Sequence, residues 1–87
     1  MAENIGLRVK VFVDTEEGER KYIGLGTIVG EEVIYVVDKH GRVLEEGTTP
    51  KIKLDDGREI LGLQCWWLPK DEADRAEKEI FGRVVYE

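Results

Sequence analysis

The chain has no serine, a single histidine (His40) and a single cysteine (Cys65), and these shortages remove whole chemistries. A Ser-His-Asp triad cannot be assembled within one chain. One cysteine cannot close an intrachain disulfide, and one cysteine with one histidine falls short of a four-ligand zinc set, so neither a metal nor another cofactor is expected. Positive charge is also in deficit. Thirteen Lys and Arg against 19 Asp and Glu leave a net charge of -6, which disfavours a simple polyanion-binding surface but leaves room for a local basic patch. No apolar run approaches the ~20 residues that span a bilayer, and Met1 to Gly6 lack the basic and hydrophobic regions of a signal peptide. A cytoplasmic protein is therefore expected, and the lone cysteine agrees with a reducing compartment. Asn4 and Gln64 are each the only residue of their type beside abundant Glu, Lys and Arg, a balance that suits a thermophilic source.

What is present is enough for one domain. The length of 87 residues, with 41% hydrophobic and 37% charged, fits a single compact unit. Leu7, Val9, Val11 and Val13 alternate with Arg8, Lys10 and Phe12, the period of a half-buried strand. The charged stretch Asp14 to Lys21 around Gly18 reads as a hairpin loop. Tyr22 to Val29 reads as a strongly bent strand, because Gly24 and Gly26 mark a bulge or a close backbone approach.

Further along, Gly30-Glu31-Glu32 is expected to turn the chain into a strand at Val33 to Val37. Lys39-His40-Gly41 leads to a short one at Val43 and Leu44. Glu45 to Pro50 then reads as an irregular connection into Lys51 to Leu54. Asp55-Asp56-Gly57 is a hairpin signal, followed by a strand from Arg58 to about Trp67 that ends before Pro69. One helix is expected, from about Asp71 to Ile80, capped by Asp71, with Ala73, Ala76 and Ile80 on one side and Asp74 paired with Lys78 on the other. Phe81 to Tyr86 reads as a last strand. Five to six short antiparallel strands with one C-terminal helix make a small SH3-like barrel the expected fold.

Candidate sites are few. Gly24 to Gly30 is glycine-rich, but no helix follows to face a phosphate. Cys65 has no basic neighbour in sequence to activate it and reads as core. His40 reads as a solvated turn residue. The acidic pairs Glu16-Glu17, Glu31-Glu32, Glu45-Glu46 and Asp55-Asp56 are all expected in loops, where they solvate the chain or present a negative face.

Trp66-Trp67 is the most informative pair, since adjacent strand residues point to opposite faces. Leu61, Leu63, Cys65 and Trp67 form the apolar face. Trp66 and Gln64 then point outward, or Trp66 packs under the helix. An outward Trp66 near Tyr22 or Tyr35 would suit the capture of a peptide.

Three stretches carry a resemblance: Tyr22-Ile23-Gly24-Leu25-Gly26-Thr27, Thr49 to Gly57 (TPKIKLDDG), and Gly62-Leu63-Gln64-Cys65-Trp66-Trp67. On these motifs residues 22–69 resemble small proteins of bacteriophage and prophage type with no assigned function. The resemblance implies an SH3-like accessory domain and transfers no active site.

The expected function is a non-enzymatic module that binds a protein partner through Trp66, Tyr22, Tyr35 and Gln64, with acidic loops as orienting charge. The alternative is a nucleic-acid-binding barrel using Arg8, Lys10, Lys51 and Lys53, whose alternation puts each basic pair on one strand face. A further alternative is an acidic inhibitor that imitates nucleic acid. Surplus aromatic surface is compatible with a homodimer, although no interface is fixed by the sequence.

Overall fold

The computed structural model describes residues 4–86. The fold is mainly β, as expected: six strands and one C-terminal helix, β1 (Arg8–Asp14), β2 (Arg20–Val37), β3 (Val43–Leu54), β4 (Glu59–Leu61), β5 (Trp66–Pro69), α1 (Lys70–Phe81) and β6 (Val84–Val85). The sheet order is β4-β3-β2-β1-β5, with β6 added to β2. The sheet is small and open, with a barrel-like strand arrangement. All pairings are antiparallel except β2 with β6, where Arg20 lies opposite Val84, so the last strand corrects the all-antiparallel expectation.

Three tight turns form where glycine supplies a positive φ. Gly18 (82°), Gly41 (81°) and Gly57 (98°) close the hairpins after β1, β2 and β3. Gly24, at φ 143°, sits at the bulge where Val11 opposite Gly24 gives way to Phe12 opposite Tyr22. Gly26 has a different role. A Cβ there would lie 2.8 Å from Ile52 Cγ2 and 3.0 Å from the Lys53 carbonyl oxygen, so its bare backbone lets β2 close onto β3.

The longest correction concerns β2 and β3. No turn forms at Gly30-Glu31-Glu32, and Glu45 to Pro50 is strand rather than irregular connection. The two strands stay paired from Gly26 opposite Leu54 to Val37 opposite Val43, and the irregularity at Val29 is absorbed as a bulge between Ile28 and Gly30. β1 leaves β2 at Thr27, and β4 leaves β3 at Lys51. Residues 31–37 and 43–50 therefore form a two-stranded arm paired only with itself among the described strands. The radius of gyration is 14.4 Å, above the ~12 Å expected of a compact chain of this length. Glu31-Glu32 and Glu45-Glu46 ride on this arm, not in loops.

The core lies on both faces of β1. Val9, Val11, Ile28, Ile52 and Leu54 fill one side, joined by Leu7, Ile23, Ile60, Cys65 and Trp67. Trp67 is thus inward, as expected. Phe12, expected on the polar face, is fully buried on the other side, because α1 covers that face. The helix docks through Ala73, Glu77 and Phe81 at i, i+4 spacing, while Ile80 remains exposed. Asp71 makes no cap; the helix starts after Pro69 with Asp71 and Glu72 in its first turn, where carboxylates favour the positive end of the helix dipole. Asp74 pairs with Lys70 and Lys10 rather than Lys78.

The strand expected from Arg58 to Trp67 is interrupted by a 3-10 turn at Gly62–Gln64. A Cβ on Gly62 would lie 2.6 Å from Pro50 Cγ and 2.9 Å from Trp67 Nε1. The turn also shifts the alternation, so that Leu63, expected on the apolar face, is exposed.

Alanine at Gly62 or Gly26 should lower unfolding free energy by about 1–3 kcal/mol through overpacking. Gly47→Ala, whose Cβ would have only Ile34 Cγ1 at 4.0 Å, should cost less. Urea midpoints of the three variants check the order.

Candidate protein-binding surface

Trp66 ends a row of aromatics laid across three strands. Phe12 faces Tyr22 on one side and Trp66 on the other in register, and directly opposed residues share a face. Phe81 of α1 packs edge-on against both Phe12 and Trp66, with ring centres 5.0 and 5.9 Å away. Tyr86 closes on Tyr22 at 5.3 Å.

Both sequence alternatives for Trp66 therefore hold in part: its face is the one the helix covers, yet it remains 42% exposed. What is left exposed is held firmly. The indole Nε1 donates to Asp14 Oδ1 at 2.9 Å, Arg20 pairs with the same oxygen at 2.9 Å, and the Arg20 guanidinium stacks 4.3 Å from the indole centre. Beside it lies an open depression of about 330 Å³ lined by Asp14, Gly62, Leu63, Gln64, Cys65 and Trp66. Leu63, on the 3-10 turn, is exposed at its rim.

The expected anchors do not all gather here. Tyr22 belongs to the same aromatic row but is half-buried between Phe12 and Tyr86. Tyr35 stands exposed on the arm, at the far end of the same strand. Gln64 lies at the depression, although its Oε1 accepts from the Leu61 amide at 3.1 Å and so holds the 3-10 turn. Leu63, Asp14 and Arg20 were not legible as site residues. Asp14 and Trp66 are 52 positions apart, and no local pattern joins them.

The four basic candidates are mostly occupied by the protein's own carboxylates. Arg8 makes a two-pronged contact with Asp55 at 2.7 and 2.6 Å and also reaches Thr27 Oγ1. The hydrogen bond from Arg8 holds Asp55 below its ordinary pKa. Lys10 lies under the helix, 2.9 Å from Asp74 and 3.8 Å from Glu77, and Lys51 pairs with Glu32 and Glu59. Lys53 is exposed and has no such pair among the described residues. These four do not form an open cationic strip.

Cys65 borders the depression, but burial pushes its thiol up to about 11. It is therefore protonated at neutral pH and a poor nucleophile. Among the described residues no group of three His, Cys, Asp or Glu side chains is arranged to hold a metal ion, and no helix is long and apolar enough to cross a membrane. Compared with known proteins, the chain matches no family model, no curated protein and no solved structure.

Folded Cys65 should resist alkylation at pH 7–8 and react freely once urea unfolds the chain; rapid labelling of the folded protein would contradict the burial argument. Helix docking has its own pH window. The Lys10 and Lys70 hydrogen bonds lower the Asp74 pKa from 3.8, so that contribution is present above about pH 4 and is lost as pH falls through the lowered value. The Asp74 hydrogen bond raises Lys10 from 10.5, and burial, then Glu77, raises Tyr86 from 10.0; their contributions are lost as pH rises through those raised values. Near-ultraviolet circular dichroism against pH should show a plateau between these limits, and Lys10→Met should flatten both edges.

Proposed function

We propose that this protein is a non-enzymatic binding module that captures a segment of a protein partner at the Trp66 ledge. The observation that carries the reading is an aromatic ring fixed on three sides, by Asp14, Arg20 and Phe81, while still 42% exposed. A ring already immobilised loses little rotamer freedom on binding, which favours an interface hot spot. Leu63 extends the apolar contact, and the open depression between them suits an extended chain better than an enclosed small molecule. Asp14 is already paired with Arg20, so the orienting negative charge comes from Glu16 and Glu17, exposed in the turn that follows it, and favours a partner of basic character. In this proposal the module works in the cytoplasm, as its composition suggests.

The nucleic-acid alternative has less support, because three of its four candidate cations already pair with carboxylates.

Affinity capture from source lysate, with and without nuclease, tests the reading. A retained protein should survive nuclease treatment, and Leu63→Asp or Trp66→Ala should weaken its binding at least tenfold, about 1.4 kcal/mol. Leu63→Asp should leave the unfolding midpoint within ~0.5 kcal/mol of the parent, as surface substitutions do. Undiminished capture by both variants would dismiss the ledge, and loss of all captured material on nuclease treatment would move nucleic acid to first place.

A further inference from the structure

The arm formed by residues 31–37 and 43–50 is the largest feature that the Trp66 ledge leaves without a role. A free two-stranded ribbon is marginal in water, and this one is unusually apolar. Val33, Tyr35, Val36, Val37, Val43 and Leu44 are between 48% and 66% exposed. Together they expose apolar surface on the order of several hundred Å², the scale of patches that mark interaction sites.

Cross-strand register separates the two faces. Val33 opposite Thr48 and Tyr35 opposite Glu46 continue the side that carries Ile28 opposite Ile52 in the core. Ile34 opposite Gly47 and Val36 opposite Glu45 lie on the reverse. Within the arm, the outer edge of β2 has no strand beside it among the described pairings, since β1 ends its pairing at Thr27. The backbone groups of that edge are a template for another strand.

The order of charges along this edge identifies the strand that fits. The segment Glu31-Glu32-Val33-Ile34-Tyr35-Val36-Val37-Asp38-Lys39 has an apolar centre, an acid at one end and a base at the other. An antiparallel copy of itself, placed with Tyr35 opposite Tyr35, sets Ile34 opposite Val36 and Val33 opposite Val37 on each side of the two-fold. Continued past the end of β2 at Val37, the same register brings Glu31 of one copy toward Lys39, the exposed first residue of the other copy's hairpin turn, at both ends.

Neither Glu31 nor Lys39 has an ion pair within the described chain. The one like-charged juxtaposition, Glu32 with Asp38, falls on groups already engaged. Glu32 pairs with Lys51 at 3.4 Å. Asp38 is turned into its own hairpin, accepting from the His40 and Arg42 amides and from Arg42 Nε, which lowers its pKa.

We infer that two copies of this chain associate through the β2 edges of their arms, antiparallel about Tyr35, into one continuous four-stranded ribbon. The contact is isologous and closes at two copies, which also shields an edge that would otherwise recruit further chains. The Trp66 ledge touches only the base of the arm, where the Leu63 amide donates to Thr49 Oγ1 at 3.0 Å, and it takes no part in the edge around Tyr35, so the two readings stand or fall separately.

Sedimentation equilibrium across a concentration series up to about 100 µM, with a salt titration, tests the assignment by charge exchange. The parent should approach twice its 9.9 kDa mass. Glu31→Lys places lysine opposite lysine at both ends, and Lys39→Glu places glutamate opposite glutamate. Each variant alone should dissociate roughly tenfold more readily, the scale of two exposed pairs turned from attraction to repulsion. Mixed in equal amounts, the two variants should recover the parent's affinity as a heterodimer, because both ends are again opposite in sign. Far-ultraviolet circular dichroism should be unchanged throughout, as both residues are exposed. A monomer at every concentration, a dimer indifferent to both reversals, or variants that fail to rescue each other would overturn the assignment.

Discussion

A lysine on a strand covered on both faces stays charged only if carboxylates come to it, and Lys10 sets that condition for this fold. Its neighbours Val9 and Val11 are fully buried on one side of β1, and α1 covers the other. The helix brings Asp74 to 2.9 Å of the ammonium and Glu77 to 3.8 Å, while the rings of Tyr22 and Tyr86 lie 5.6 and 5.9 Å away. Tyr86 donates its hydroxyl hydrogen to Glu77. Removing the ammonium would leave Asp74 with Lys70 but would strip Glu77, whose Oε2 is buried without a hydrogen-bond partner, of its counter-charge, which costs more than the intact pair contributes. This arrangement places the helix, and the helix places Phe81 against Phe12 and Trp66.

The Trp66 ledge follows from that docking. Had α1 lain one turn further along, Phe81 would cover the indole or miss it. In the observed position it supports one edge of the ring, Asp14 and Arg20 hold the rest, and an aromatic surface remains open beside Leu63. The 3-10 turn at Gly62 is equally necessary, since it carries Leu63 out of the core face and to the rim. Both features depend on small clearances: Gly62 fits against Pro50 and Trp67 only without a side chain.

The arm obeys a different constraint. The core is closed by Ile28 and Ile52, and beyond them β2 and β3 continue as a ribbon whose base, at Thr49 and Pro50, packs against the 3-10 turn, with Thr49 buried and its hydroxyl accepting from the Leu63 amide. Turn-forming residues at Gly30-Glu31-Glu32 and Thr49-Pro50 are present, yet both segments pair as strand. The reason lies in the partner. Once Asp38 to Arg42 forms its hairpin, with Gly41 at positive φ and Asp38 accepting three hydrogen bonds, each residue of one segment finds a ladder partner in the other. Cross-strand pairing then overrides a local preference for a turn.

The alternation of residues 7–13, the three glycine turns, the bent strand at Gly24 and Gly26, the inward Trp67 and a helix near 71–80 were all legible in the sequence, because each rests on a local rule of period, φ or capping composition. The mainly β fold followed from them. Which face the helix covers was not legible, because its docking stripe runs through Glu77, a residue no apolar count would select. Nor was the ledge, since Asp14, Arg20, Trp66 and Phe81 come from four separate segments and meet only when the sheet and helix are assembled. The sequence by itself determined where the chain turns and which residues are too apolar to stay in water. Tertiary structure alone decided which charges are neutralised, how much of Trp66 the helix leaves exposed and which strand edge stays open, because each depends on contacts between segments far apart in the chain.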